Sequence, residues 1–274
     1  MNALGLDRAL KALRPYLGDL VLCGAWAWYL YRRCLAPDRW VPAEFTRDLD
    51  CIGKERLPVR GDPLLNRLAN SAFVWVPRGP ETPPVAHFAW PDPKRADVEI
   101  EFLAPSRGDG TREIVELQPG LTAQALRHLE ILTDSPLVLA IDDRSPLPEE
   151  LEFRGSVRLP KIGHFVIQKA LIHKDRRREK QVKDIFYVFD LIDRENGLNN
   201  ILSQDVVAAE AKWKTEVGLL VDVLEQRIGE PAFLKGISEQ YPEEKRPSPT
   251  YVEREVQDWL KQFRGDAQRD AGPA

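Results

Sequence analysis

Hydrophobic residues at the start of the chain predict a helix, a buried strand and a second helix in that order. Four leucines share one helical face and predict an amphipathic helix that bends or ends at Pro15: Leu6, Leu10, Leu13 and Leu17. The apolar run at 20–23 predicts a buried strand, and Gly24 follows it directly. The next segment, AWAWYLYRRCL, is long enough for three helical turns. The pattern therefore indicates a strand–glycine–helix unit.

Two later stretches alternate polar and apolar residues, which is the period of a strand with one buried face. In TRDLDCIG, Asp48 and Asp50 share one face, roughly 6–7 Å apart, and Leu49 and Cys51 take the other. ADVEIEFLAP also places three acids on one face: Asp97, Glu99 and Glu101. If these strands are neighbours, up to five carboxylates crowd one surface. Each close pair then repels by roughly 2–3 kcal/mol at an effective dielectric constant of about 20.

Such crowding has two interpretations. In a cleft, a divalent cation is the usual partner that compensates the repulsion between carboxylates. The alternative is that both strands simply have a solvated acidic face.

The remaining pattern divides the chain near residues 145–155. Six prolines crowd residues 77–95 and predict a long loop with no regular element. Residues 121–133 are predicted to be helical and 136–141 to be a strand. After Pro148 come a short strand, SVRLP, and helical segments: FVIQKALI, VKDIFYVFDLID, 205–228 and 251–263.

The sequence thus predicts an α+β fold, with a mixed sheet flanked by helices and then a mainly helical C-terminal domain. The expected boundaries are 1–150 for the sheet domain, 151–264 for the helical domain and 265–274 for a flexible tail.

Composition excludes several classes of protein. The 274 residues are 43% hydrophobic and 30% charged, which is ordinary for a soluble globular protein. A net charge of −4 excludes a polycation that wraps nucleic acid, although a local basic patch stays open. Three scattered cysteines form no disulfide framework or zinc ribbon, so we expect a reduced, cytoplasmic protein. No signal peptide or 18-residue apolar window is present, so no membrane association is expected.

The charged run from His173 to Lys180 separates two residues of interest, Lys169 and Asp184. In one straight helix these two would stand about 22 Å apart and could not share a site. The run must therefore break the helix if both residues serve one ligand. The alternative is that Lys180 and Asp184, four residues apart, simply pair with each other on one helix.

The order strand, glycine, helix, Asp-x-Asp strand and acidic third strand resembles the nucleotidyltransferase superfamily of the polymerase-β type. LCGAWAWYLYRR, TRDLDCI and DVEIEFL carry this resemblance. In addition, KIGHFVIQKALIHKDRRREKQVKDIFYVFDLID resembles the signature of AbiEii-type toxins, which are nucleotidyltransferase-like proteins of toxin–antitoxin systems. The two resemblances extend from about residue 18 to residue 193.

The resemblance implies an enzyme that moves a nucleoside monophosphate from a nucleoside triphosphate to a hydroxyl acceptor and releases pyrophosphate. It implies two divalent ions, Mg²⁺ or Mn²⁺, on the acidic strands. Asp48 and Asp50 would be metal ligands, with Glu99 or Glu101 as the third carboxylate. Glu99 is favoured because the family's third carboxylate usually lies in mid-strand, whereas Asp97 lies at the entrance of its strand.

The other residues implied by the resemblance bind phosphate or neutralise charge. Gly24 and the backbone N–H groups of Ala25 and Trp26 would hold the β- and γ-phosphates. Basic side chains would neutralise the charge that builds in the transition state: Lys169, Arg177 or Arg178, and Lys183. Asp184 would position either Lys169 or the nucleotide. The expected partners are the nucleoside triphosphate, tRNA or another RNA, and a cognate antitoxin protein.

One departure from the family pattern supports a second function. Ala25 stands where many relatives carry Ser, Thr or a second Gly, so one phosphate contact is lost. The alternative is therefore a non-catalytic module that binds a nucleotide or a partner in the same cleft. Other chemistries lack their motifs, since the sequence contains no GxxxxGK[ST] or GxSxG. The four histidines show no metal-ligand spacing and are expected at the surface or at helix caps: His87, His128, His164 and His173.

Overall fold

The computed structural model describes two compact units. The described residues are 2–40, 46–53, 56–78, 86–91, 98–106 and 113–270, with side chains through residue 264. The first unit comprises Met1–Pro37 and Ala43–Pro160, and the second comprises Asp38–Pro42 and Lys161–Ala274. Among the described helices, none combines the length and apolar character needed to cross a bilayer.

The first unit contains strands in two sheets. These strands are β1 (Val21–Cys23), β2 (Asp48–Ile52), β3 (Val74–Pro77), β4 (Ala86–Trp90), β5 (Val98–Pro105), β6 (Ile114–Gln118), β7 (Leu121–Leu126), β8 (Leu137–Ile141) and β9 (Gly155–Leu159). The larger sheet is mixed, with the order β1-β2-β5-β4-β3 and only β2 and β5 parallel along that path. The β6–β7 hairpin joins it where β7 runs parallel to the end of β5, and β8 and β9 pair separately.

The first two helices of the first unit lie where the hydrophobic pattern predicted them. The helices of this unit are α1 (Ala3–Leu13), α2 (Gly24–Leu35), α3 (Leu64–Asn70) and α4 (Glu130–Thr133). The Asn2 side chain caps α1 by accepting a 2.9 Å hydrogen bond from the Gly5 amide. A 3₁₀ turn replaces α1 at Pro15, as predicted. Trp26 and Trp28 of α2 are fully buried and pack in the core.

Two sequence predictions in the first unit are wrong. The proline-rich stretch 77–95 was expected to contain no regular element, yet β3 ends at Pro77 and β4 occupies 86–90. The prolines there flank β4 and do not interrupt it, so they remove no ladder hydrogen bond from it. Residues 121–133 were expected to be helical, but they form β7 and the single turn α4. The cause is Gly120, whose φ of 78° closes the β6–β7 hairpin.

The second unit is helical, so the predicted α+β fold with a helical C-terminal region is confirmed. Its helices are α5 (Ile162–His173), α6 (Arg178–Ile192), α7 (Asn199–Ile228), α8 (Pro231–Ser238) and α9 (Pro249–Asp270). The predicted break in the charged run is present between α5 and α6. The sequence prediction missed α8, and the backbone of α9 extends beyond the predicted 251–263. Four phenylalanines form part of the core and are fully buried: Phe165, Phe186, Phe189 and Phe233.

Candidate active site

The parallel pairing of β2 with β5 assembles the acidic residues on one face of the sheet. Asp48 lies opposite Glu99, and Asp50 lies opposite Glu101. Because side chains alternate along a strand, all four carboxylates point to the same side. The residues between them, such as Leu49 and Ile100, are fully buried on the other side. The expectation that the two acidic strands are neighbours is therefore correct, while Asp97 lies outside the described residues.

Three of these carboxylates converge closely enough to share a cation. Oxygen atoms of Asp48, Glu99 and Glu101 all lie within 4.8 Å of one another. The set contains only oxygen donors, which are the ligands that Mg²⁺ and Mn²⁺ prefer. The residues present therefore fit a hard divalent cation.

Crowding and burial disfavour the ionised form of the carboxyl groups on this face. Burial raises the pKa of Glu101 to about 8, and the charges of Asp50 and Asp48 contribute to the rise, against the opposing effect of Arg78. A carboxyl group that resists ionisation at neutral pH gains more than an ordinary one from a cation beside it. The electrostatics of the cluster thus match the chemistry of its donor atoms.

Gly24 brings the start of α2 against Asp50. Its φ is 68°, and a Cβ at this position would overlap Oδ2 of Asp50. Cys23, which pairs with Asp50 across the sheet, provides no side-chain cap for α2. The first N–H groups of a helix lack intrahelical acceptors and form its positive end, next to which an anion is favoured. The glycine turn and the acidic strand therefore meet, as the sequence pattern predicted. Ala25 and Trp26 follow in the first turn, both with buried side chains.

We expect Gly24→Ala to destabilise the first unit by about 2–3 kcal/mol, since it combines a left-handed backbone with a clash against Asp50. Gly61→Ala is a matched control, because Gly61 has a φ of 72° but no atom within 4 Å of the place that an alanine methyl group would occupy. The control should lose only about 1 kcal/mol. Urea unfolding of both variants measures the difference, and equal losses would show that the contact with Asp50 is unimportant.

Arg78 and His87 join this face although the sequence prediction missed both. Arg78 Nη1 donates a 2.6 Å hydrogen bond to Glu101 Oε1, and Nη2 bonds Glu99 Oε2. His87 Nε2 lies 3.6 Å from Glu99 Oε2, and burial lowers the pKa of His87. The sequence prediction missed them because both residues lie in 77–95, the stretch where prolines had argued against strands.

In the second unit, Lys169 and Asp184 meet across the α5–α6 break. Lys169 Nζ donates a 2.9 Å hydrogen bond to Asp184 Oδ1, and both side chains are buried. Nζ also lies 5.4 Å and 5.5 Å from the ring centres of Phe165 and Tyr187. Asp184 pairs in addition with Arg176, at 3.3 Å, and not with Lys180. The structure thus favours the Lys169 pairing over the i,i+4 alternative, and Arg176 is a partner that the sequence reasoning had not selected.

The other predicted basic residues lie around this pair or on the surface. Arg178 bonds Glu230 at 3.3 Å and covers the ring of Phe233, whereas Arg177 is exposed at the start of α6. Lys183 Nζ lies 5.8 Å from the ring centre of Tyr187. Their proposed contacts with a nucleotide stay predictions.

Three of the four histidines are buried: His87, His164 and His173. The expectation of a surface or helix-cap position is wrong for His87, which lies inside β4, whereas His164 and His173 lie in the first and last turns of α5. In the second unit, His173 Nε2 accepts a 2.7 Å hydrogen bond from Arg227 Nε. Burial lowers the pKa of His173 to about 4, helped by Arg227 and Arg178 and opposed by Asp184 and Glu230. The folded chain therefore keeps this imidazole neutral.

The second unit should lose stability in acid because of His173. Its folded pKa lies below the unfolded value of about 6.5, so its contribution is complete above pH 6.5 and declines as the pH falls towards 4. The loss at pH 5 is about 2 kcal/mol. We expect urea unfolding at pH 7.5 and pH 5 to show a smaller decline for His173→Asn than for the wild type. His128→Asn, at a partly exposed site, is the control, and identical pH slopes for all three proteins would contradict the prediction.

Comparison with known proteins adds a family match. A family model described as "Nucleotidyltransferase" matches residues 5–194. Among curated proteins, none matches this chain. A solved structure, JHP933 from Helicobacter pylori, aligns with 98% of this chain and 94% of its own, at a TM-score of 0.42 and 11% sequence identity.

Proposed function

This chain belongs to the nucleotidyltransferase family, and from that premise we propose that the β2–β5 acidic face is the active site of a metal-dependent enzyme. It transfers a nucleoside monophosphate from a nucleoside triphosphate to a hydroxyl acceptor and releases pyrophosphate. One observation carries this proposal: the parallel register that sets Asp48 opposite Glu99 and Asp50 opposite Glu101. A register shifted by one residue would turn the acids of one strand into the core.

The carboxylates of Asp48, Glu99 and Glu101 would hold Mg²⁺ or Mn²⁺, because their oxygens converge within 4.8 Å. Asp50, opposite Glu101, would complete the ligand set. A divalent cation there would supply charge neutralisation for the phosphates and acidification of the acceptor hydroxyl.

The chain's own groups would bind and orient the substrate. The first-turn amides of α2, which begins at Gly24, would donate hydrogen bonds to the triphosphate. Gly24 also lets the helix start approach Asp50 closely, since any side chain would overlap that carboxylate. Both features orient the α-phosphorus for in-line attack by the acceptor hydroxyl, with pyrophosphate as the leaving group.

The acceptor and cellular role are further proposals. The resemblance to AbiEii-type toxins and the basic run 174–183 favour tRNA as the acceptor and a cognate antitoxin as a protein partner. Lys169, Arg177, Arg178 and Lys183 would neutralise phosphate charge, and this role stays a prediction because they belong to the second compact unit. We propose a cytoplasmic location because the three cysteines, all within the described residues, form no disulfide.

The second candidate function is a non-catalytic module that binds a nucleotide or partner at the same face. Ala25 favours it, because the first turn of α2 lacks the hydroxyl that would contact phosphate. If the module binds a nucleotide, the two candidates share nucleotide affinity and differ in turnover.

The deciding experiment incubates the purified chain with Mg²⁺, a bulk tRNA pool and each radiolabelled nucleoside triphosphate in turn. We expect pyrophosphate release and label on the acceptor, both abolished by EDTA and restored by excess Mg²⁺. Nucleotide binding without either product would support the non-catalytic module. The absence of both Mg²⁺ and nucleotide affinity would overturn both candidates.

A further inference from the structure

Arg78 bridges two carboxylates of the acidic face. Its guanidinium bonds Glu101 Oε1 at 2.6 Å and Glu99 Oε2 with its second terminal nitrogen. Each terminal nitrogen bonds a different carboxylate, so the guanidinium bridges the two side chains through charge-assisted hydrogen bonds, which are stronger than neutral ones. Glu99 and Glu101 are also two of the three residues whose oxygens converge.

The charge balance of this face explains why such a counter-ion is needed. Two of its carboxylates are largely buried, with side chains 16% exposed for Glu99 and 10% for Glu101. Without a counter-ion, two carboxylates whose oxygens lie within 4.8 Å of each other would repel strongly when partly desolvated. Within the part of the chain that the structure describes, Glu99 and Glu101 form ion pairs with Arg78, and Glu99 has a longer contact with His87. Arg78 thus supplies the permanent positive charge in those pairs.

The position of Arg78 allows it to withdraw without disturbing the sheet. It follows Pro77, the last residue of β3, and β3 lies at the end of the strand order. Its side chain reaches from there to β5 and is 28% exposed. Removing the guanidinium would break side-chain bonds only, whereas the β3–β4 ladder ends at Pro77 and would stay intact.

We propose that Arg78 is an exchangeable counter-ion: it holds Glu99 and Glu101 in position in the metal-free chain and yields them when a divalent cation binds. The inference rests on the proposed function, because it takes the acidic face to be a cation site. Arg78 is then a positioning residue that competes with the cation. A competitor that occupies the site nine-tenths of the time lowers apparent affinity about tenfold.

The test measures Mn²⁺ binding by calorimetry and by electron paramagnetic resonance, with no nucleotide present. We expect Arg78→Gln to bind Mn²⁺ about tenfold more tightly than the wild type. In EDTA, Arg78→Gln should melt at a lower temperature than the wild type. Added Mn²⁺ should raise its melting temperature by more than it raises that of the wild type. Arg78→Lys keeps the positive charge but has one nitrogen in place of two, so its Mn²⁺ affinity should lie between those of the wild type and Arg78→Gln. The matched control is Arg144→Gln, because the side chain of Arg144 is 92% exposed and pairs with Asp142 away from this face.

The outcomes separate this inference from the proposed function. Equal or weaker Mn²⁺ binding by Arg78→Gln would overturn the proposal that Arg78 competes with the cation. Arg78 would then only hold the two carboxylates in place. Failure of the wild type and all variants to bind Mn²⁺ would overturn the exchange and the metal site together. Tighter binding by Arg78→Gln would sustain the exchange even if the labelled-nucleotide assay showed no transfer, in which case only the enzymatic proposal would fail.

Discussion

Asp48→Asn should lower the rate of nucleotidyl transfer by about 10³-fold or more, without lowering the stability of the chain. Asparagine has nearly the same shape but no charge, so it is a poor ligand for Mg²⁺. Loss of the charge stabilisation that the site directs at the transition state then reduces the rate. At the same time the substitution removes a charge that repels Glu101, so the free energy of unfolding without metal should stay constant or rise.

The opposite directions of activity and stability make this prediction specific. Initial rates of pyrophosphate release and urea unfolding in EDTA would be measured on the same preparations. Asp143→Asn is the matched control, since its side chain is 91% exposed and pairs with Arg154 outside the acidic face. An unchanged transfer rate in Asp48→Asn would remove Asp48 from the active site. A rate loss that only follows a loss of stability would indicate a structural role.

Lys169→Met should destabilise the second unit by about 3 kcal/mol, because it leaves the buried Asp184 carboxylate without its closest partner. Arg176, at 3.3 Å from the other carboxylate oxygen, limits the loss by remaining in place. The double variant Lys169→Met/Asp184→Leu removes both charges and should recover part of the stability lost in the single variant.

Lys235→Met provides a control with the same substitution on a helix surface. Lys235 is 72% exposed and lies 3.7 Å from Glu239, so its loss should cost less than about 1 kcal/mol. Urea unfolding, followed by circular dichroism, would compare the four proteins. If Lys169→Met and Lys235→Met were equally stable, the buried pair would contribute no more than a surface contact.

The acidic face could be predicted from sequence because the alternation of polar and apolar residues within each strand determines it. Alternation in DLDCI and VEIEF assigns each side chain to a face, and burial of Leu49 and Ile100 fixes which face is the core. Their mutual register is not local, so the pairing of Asp48 with Glu99 required the structure. The break between α5 and α6 was predictable for a similar reason, since a run of charges has no apolar face to bury.

The errors arose where long-range pairing overrides local preference. The LTAQAL segment has helix-forming residues, yet it pairs with both β5 and β6 and becomes a strand. The Pro119–Gly120 pair before it was an available turn signal that would have favoured a hairpin. Arg78 was missed because its contacts with β5 depend on two pairings, of β3 with β4 and of β4 with β5. Counting the prolines of 77–95 without their positions had concealed β4, which lies between them.

The wide separation of β2 and β5 along the chain has a consequence for biosynthesis. The two strands pair in parallel, but β3 and β4 lie between them in sequence. On the ribosome, the edge of β2 that pairs with β5 therefore stays unpaired until β5 has been made. Bringing β2 and β5 together closes the long stretch of chain between them, which is slow compared with forming a helix or hairpin. Truncated chains that end before residue 98 would lack Glu99 and Glu101, which are half of the acidic face, and would expose the unpaired edge of β2 to aggregation. Translation must accordingly proceed past Pro105 before β2 and β5 can pair along their full length and complete the acidic face.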